Sequence, residues 1–135
     1  MLKLLKLMMV CAVSFVAHSQ TPANQFTGGV INGRFWQTLT PEAKTGFLVG
    51  FREGIIAGDN DDVSRIYISD SATVGQAKKG IDLFYGDPAN LAIAIKDASR
   101  IFLMRLGGAD STAVEAVTVR ARREAALGFA LPTKL

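Results

Sequence analysis

Imidazole and thiol, the side chains that most often act as catalytic bases and nucleophiles, occur once each in this 135-residue chain, at His18 and Cys11. Acyl transfer through a Ser-His or Cys-His pair needs the imidazole, and zinc sites usually draw on histidine or cysteine. Both residues lie within the first 19 positions. The chemistry open to the rest of the chain therefore depends on whether that segment is kept.

The first 19 residues have the form of a secretory signal peptide. Two lysines are followed by an apolar stretch over 7–17, and the small residues Ala17 and Ser19 precede Gln20. Even counted from residue 4 to residue 17, the mostly apolar run of about 14 residues is shorter than the roughly 20 that a spanning helix needs. We expect a cleaved signal peptide over 1–19, export to the periplasm or beyond the cell, and no stable membrane anchor. The exported protein then has no histidine, no cysteine and no disulfide.

Composition limits what the exported part can be. Without Lys3 and Lys6, thirteen basic residues stand against twelve acidic ones, so the net charge is +1 and no basic field attracts nucleic acid. The remaining 116 residues suit one domain with its own core. We expect a flexible leader over 20–30, a helical domain over 31–127 and a frayed tail over 128–135.

Capping residues and apolar spacing predict an all-α fold. Helix starts are indicated at Asn32, Thr40 (with Pro41 and Glu42 following), Thr73 (a capping box with Gln76), Asp87 or Asn90, and Asp110. Apolar faces at helical spacing follow these starts, including a deeply packed face that begins at Leu91. We expect a single small bundle of four main helices plus a short N-terminal helix. Residues 63–70 fit a strand or a helical face and stay open.

Four glycines recur every fourth residue in the helix that follows Thr40. They are Gly46, Gly50, Gly54 and Gly58. Each glycine inside a helix costs about 0.8–1 kcal/mol relative to alanine, so the spacing needs a reason, and close approach of a neighbour is the physical one. We favour a groove filled by another helix or by Trp36. The alternative is a dimer face.

The remaining carboxylates offer little chemistry. Counted from Asp59, a calcium loop would need glycine at position 64 and glutamate at position 70, and the chain has Ser64 and Asp70 there. We expect no metal and no cofactor. A pair of acids can hydrolyse a glycosidic bond, and Glu53 with Asp87 or Asp59 is the candidate pair for a cell-wall hydrolase.

Two stretches resemble a known family. Residues 47–54 (FLVGFREG) are similar to the F-C-x-G-[YF]-x-x-G helix of Tai-type immunity proteins, which neutralise cell-wall amidase effectors of type VI secretion. The stretch from Thr73 through Tyr85 and Pro88 is similar to that family's following segment, so the resemblance covers roughly 45–106. Leu48 stands where the family has a cysteine, and its usual disulfide is absent. The whole pattern is closer still to small exported helical bacterial proteins of unassigned role.

These observations together predict a non-catalytic exported protein that binds a protein partner, not an enzyme. An immunity-type inhibitor of a cell-wall amidase is its most specific form. The predicted contact residues surround the glycine helix: Trp36, Arg52, Glu53 and Tyr85. The alternatives are the carboxylate hydrolase and a self-associating structural protein, a homodimer through the glycine helix.

Overall fold

The structure is a computed structural model that describes residues 25–57 and 72–132. The predicted signal peptide, Gly58, Asp59 and the ambiguous segment 63–70 lie outside the described residues. Within them the protein is mostly helical, with one small two-stranded sheet. The helices are α1 (Gly33–Thr38), α2 (Pro41–Ala57), α3 (Val74–Tyr85), α4 (Ile95–Leu106) and α5 (Ser111–Ala126), and a 3-10 turn (Pro88–Asn90) lies between α3 and α4.

Side-chain caps begin α1, α3 and α5 where the sequence predicts them. The Asn32 carboxamide oxygen accepts from the backbone of Arg34 at 3.0 Å. Thr73 and Gln76 form the reciprocal capping box at the start of α3. Asp110 accepts from two backbone amides at the start of α5. These local signals are confirmed because a cap depends only on residues close in sequence.

A β-hairpin occupies residues 26–30 of the predicted flexible leader. Strand β1 (Phe26–Thr27) pairs antiparallel with β2 (Val30–Ile31). Gly28 and Gly29 turn the chain with φ of 56° and 76°, a conformation that suits a two-residue hairpin turn and favours glycine. The prediction of a flexible segment through residue 30 is therefore wrong for the hairpin.

The predicted helix from Leu91 begins four residues later, at Ile95. Two backbone carbonyls in 91–94 accept hydrogen bonds from α1 and from the hairpin instead. The Leu91 carbonyl accepts from the backbone of Arg34, and the Ala92 carbonyl accepts from the Thr27 hydroxyl. Tertiary hydrogen bonds thus compete with the helix over one turn, and only the residues after Ala94 continue as α4.

The tail is docked rather than frayed up to Pro132. Leu131 is buried, its backbone N–H donates to the Asp97 carboxylate at 3.0 Å, and its carbonyl accepts from Lys96 Nζ. The Gly128 carbonyl accepts from Gly28 of the hairpin turn at 3.0 Å. The hairpin and the tail therefore close the same end of the domain, and the prediction of a frayed tail is wrong for these residues.

The core lies between consecutive helices, with α2 against α3, α3 against α4, and α4 against α5. Its largest fully buried side chains are Trp36, Tyr85, Ile81, Ile93, Ile95, Ile101 and Leu131. Leu106, the last residue of α4, is 40% exposed. In the part of the chain that the structure describes, no helix is both long and apolar enough to cross a membrane.

Candidate functional site

Trp36 lies at the junction between α1 and α3 and is fully buried. Its indole Nε1–H donates to Asp82 Oδ1 at 2.8 Å, and the same oxygen accepts from Lys44 Nζ at 2.8 Å. The ammonium group of Lys44 also lies 5.2 Å from the centre of the indole ring. A side chain held this way is part of the core, so the prediction that Trp36 contacts a partner is wrong.

Tyr85 belongs to the same junction and is 1% exposed. Its hydroxyl donates to the Ile93 carbonyl at 2.9 Å, and its ring lies against the bare backbone of Gly33, where a Cβ would overlap the ring. Burial, with the nearby Asp97 charge, raises the pKa of the phenol well above its ordinary value. The predicted contact role of Tyr85 is therefore also wrong. We call Gly33, Trp36, Asp82 and Tyr85 the closed junction.

The described glycines of α2, unlike Gly33 of the closed junction, lie on an exposed surface. Gly46, Gly50 and Gly54 are exposed, and a Cβ built on any of them has no described residue's atom within 4 Å outside its own helix. Among the described residues, neither Trp36 nor another helix fills the predicted groove at these three glycines. Together with their exposed neighbours they form what we call the α2 outer face: Glu42, Ala43, Gly46, Val49, Gly50, Glu53 and Gly54.

Arg52 and Glu53 are separated by the turn of the helix. Glu53 is exposed on the α2 outer face, as its predicted contact role requires. Arg52 is half-buried and points away from that face, because residues one apart lie about 100° around a helix. Of the four residues predicted to surround one contact site, the structure leaves only Glu53 on the exposed glycine surface.

Arg52 instead lines a cavity between α2, α3 and α4. The cavity has a volume of about 50 Å³. Its walls are mostly apolar: Leu48, Phe51, Ala72, Val74, Ala77, Ile81, Phe102 and Leu103, with Arg52, Thr73 and Ser99 as the polar members. Ser99 is 6% exposed, and its hydroxyl has no hydrogen-bond partner in the described structure.

A pair of hydrolytic acids needs one carboxyl to be more buried than the other, and Glu53 and Asp87 do not differ in this way. Asp87 caps the 3-10 turn by accepting from the backbone of Ala89 at 2.9 Å, and its carboxylate pairs with Arg122 at 2.8 Å. Both the Asp87 side chain and Glu53 are exposed, and Asp59 lies outside the described residues. Over 25–57 and 72–132, no group of three or more potential ligands could hold a metal ion.

Arg122 joins α5 to the 3-10 turn. Its guanidinium reaches across to the 3-10 turn, where Nε donates to the Asn90 side chain at 2.9 Å and Nη2 pairs with Asp87. The Asn90 amide in turn donates to the Phe84 carbonyl at 2.7 Å. This chain of polar contacts joins α5 to the end of α3.

Sequence reasoning missed three residues that shape these sites. Gly33 and Gly80 give close approach to the Tyr85 and Phe102 rings, and Ser99 supplies the buried hydroxyl. A signal was present for two of them. Gly80 follows Ala77 by three residues and precedes Phe84 by four, and Ser99 follows Ile95 by four, so both lie on an apolar helix face.

Comparison with known proteins gives this chain no family. It matches no family model, and no curated protein or solved structure matches it significantly. Functional inference therefore rests on features of the structure itself, above all the α2 outer face.

Proposed function

We propose that this chain is an exported, non-catalytic helical protein that binds a protein partner through the α2 outer face. The observation that carries the proposal is the exposure of Gly46, Gly50 and Gly54. Three glycines inside a helix make it less stable by about 2–3 kcal/mol than three alanines would. Since no described side chain uses the space they leave, a partner that lies against the bare backbone gives the spacing a purpose.

The charge of the α2 outer face favours a different protein over a second copy of this chain. Its charged members are both acidic, Glu42 and Glu53. Two copies meeting through this face would place four carboxylates in one interface, and like charges across an interface are unfavourable. A partner with basic residues beside an apolar side chain complements the face. The homodimer is therefore the less favoured form of the proposal.

The finer parts of the proposal concern architecture and cellular role. The successive packing of α2, α3, α4 and α5 supports a four-helix bundle, with α1 and the hairpin closing one end. The signal-like segment over 1–19 supports export. The resemblance over roughly 45–106 makes inhibition of a cell-wall amidase the most specific role, because the FLVGFREG stretch lies in α2.

Site-specific photo-cross-linking tests the proposal. A photoreactive amino acid is placed at Val49, which is 44% exposed on the α2 outer face, in the cell that makes the protein. The matched control places it at Val119, which is 53% exposed on α5. We expect a discrete adduct with another protein from Val49 and none from Val119. Gly50→Leu should remove the adduct while circular dichroism shows an intact fold.

Each other outcome counts against the proposal. Equal adducts from both positions would show non-specific proximity. An adduct only with a second copy of the chain would replace the partner with self-association. An adduct that survives Gly50→Leu would show that the glycine backbone is not the contact.

A further inference from the structure

The C-terminal tail is held to the domain chiefly through one residue, Leu131. Its side chain is buried in the core, its backbone N–H donates to Asp97 Oδ2 at 3.0 Å, and its carbonyl accepts from Lys96 Nζ. Asp97 and Lys96 are consecutive residues in the first turn of α4. Both polar groups of the Leu131 backbone therefore depend on one short stretch of one helix.

The chain just before this residue has few contacts that would hold it in place. The last hydrogen bond at the end of α5 is donated by the Phe129 N–H to the Glu124 carbonyl, and the Phe129 side chain is 61% exposed. Ala130 is half-buried beside Gly28 of the hairpin turn. A segment with so few buried contacts can open locally while the rest of the fold persists. We call residues 130–132 the tail latch.

The carboxyl group under the tail latch is poorly solvated as an anion. Asp97 is 2% exposed, and its Oδ1 has no hydrogen-bond partner among the described residues. Lys96 Nζ lies 3.9 Å from Oδ1, beyond hydrogen-bond distance. A carboxylate in water accepts several hydrogen bonds, so the closed latch gives this anion less than solvent would. Closing the latch over Asp97 is therefore more favourable when the carboxyl is neutral.

We propose that the tail latch is a pH-sensitive switch, which closes while Asp97 is protonated and opens more often as the carboxyl ionises. In the protonated form an oxygen of Asp97 still accepts from the Leu131 N–H, so the contact is kept without burying a charge. Burial raises the pKa of the Asp97 carboxyl, which agrees with this direction. The closed state is therefore most stable at low pH and loses stability as pH rises through the raised pKa.

Among the described residues, the other charged and titratable groups that act on Asp97 are Lys96 and Arg100 of α4 and Tyr85 of α3. Lysine and arginine stay cationic from about pH 4 to about pH 7. Burial raises the pKa of the Tyr85 phenol, so this group stays neutral in the same range. Opening would uncover the buried site of the Leu131 side chain beside an ionised carboxylate, a surface that the closed state does not present. The switch shares no residue with the α2 outer face.

Amide hydrogen exchange followed by NMR tests the proposal on the exported chain. The exchange rate of the Leu131 N–H is divided into its intrinsic rate at each pH, which gives the protection that the tail latch provides. From about pH 4 to about pH 7 we expect this protection to fall by about fivefold or more. The amide of the buried Ile81, in α3, reports opening of the core and should change much less.

Two variants identify the group that controls the tail latch. Asp97→Asn keeps an oxygen that can accept from Leu131 and removes the charge, so the protection of Leu131 should become independent of pH. Glu124→Gln is the matched control, at a carboxyl that is 25% exposed near the latch, and should keep the pH dependence of the parent.

Three results would overturn the proposal. Equal falls in protection at Leu131 and Ile81 would show that pH acts on the whole fold, and this comparison needs no variant. A protection of Leu131 that is constant or increases with pH would give the latch no switch or the opposite one. A pH dependence that Asp97→Asn retains would assign the effect to another group.

Discussion

The closed junction and the α2 outer face both contain glycines, but the two sets of glycines have opposite surroundings. At Gly33 a Cβ would overlap the Tyr85 ring, so the missing side chain is required by the fold. At Gly46 and Gly50 a Cβ would meet nothing described within 4 Å. Glycine spacing alone therefore does not identify a packing interface inside a protein. The neighbours of each glycine decide whether it serves the fold or leaves a surface bare.

The largest difference between the two regions should appear when their large side chains are truncated. Trp36→Ala removes a fully buried indole and its hydrogen bond to Asp82, so we expect a loss of about 3–5 kcal/mol in the free energy of unfolding. Val49→Ala, on the α2 outer face, should change it by less than about 0.5 kcal/mol. Chemical denaturation measures both. Similar effects of the two variants would contradict the assignment of Trp36 to the core.

Adding one methyl group to the closed junction should also destabilise the protein. Gly33→Ala forces a Cβ into the Tyr85 ring, which is itself held by a hydrogen bond to Ile93, so the ring has little freedom to move. We expect a loss of about 1–3 kcal/mol, the usual effect of overpacking a core. Thermal and urea unfolding provide the measurement. A Gly33→Ala protein as stable as the parent would show that the junction is not closed.

The buried Asp97 carboxyl makes the free energy of unfolding depend on pH. Burial raises the pKa of the Asp97 carboxyl, while its hydrogen bond to the Leu131 amide opposes the shift. The folded chain therefore binds this proton more tightly than the unfolded chain, whose pKa is about 3.9. The stabilising contribution is complete below that value and is lost as pH rises through the raised pKa of the folded state.

Asp97→Asn keeps an oxygen that can accept from Leu131 but has no charge to bury. Its stability relative to the parent should therefore increase as pH rises from about 3.5 to 7. Glu53→Gln, at an exposed position on the α2 outer face, is the control variant. A series of urea titrations at different pH values measures both differences. A relative stability of Asp97→Asn that decreases as pH rises would contradict a raised pKa for the buried carboxyl.

Local sequence signals predicted the helices well, and long-range contacts account for the errors. The caps at Asn32, Thr73 and Asp110 depend on neighbours within three residues, which a sequence shows directly. The hairpin strands are two residues long and have too little alternation to detect. The docking of Leu131 depends on Asp97, 34 residues earlier, so nothing near the tail indicates it.

The candidate sites were predictable only in part, for the same reason. The four-residue spacing of the α2 glycines can be read from the sequence, but their exposure depends on which face α3 covers. Tryptophan and tyrosine are common both in cores and in interfaces, so residue type alone does not assign Trp36 and Tyr85. Their hydrogen bonds to the Asp82 carboxylate and the Ile93 carbonyl assign them to the core. The cavity joins residues from three helices and has no local signal.

The free energy of unfolding of the Gly46→Ala, Gly50→Ala double variant tests most directly whether the fold leaves the α2 outer face unused. Alanine is the better helix former at both positions, and neither new Cβ meets a described atom beyond its own helix within 4 Å. We therefore predict a protein about 2 kcal/mol more stable than the parent. A double variant less stable than the parent would show that these glycines pack within the fold, and would remove the basis for a partner surface there.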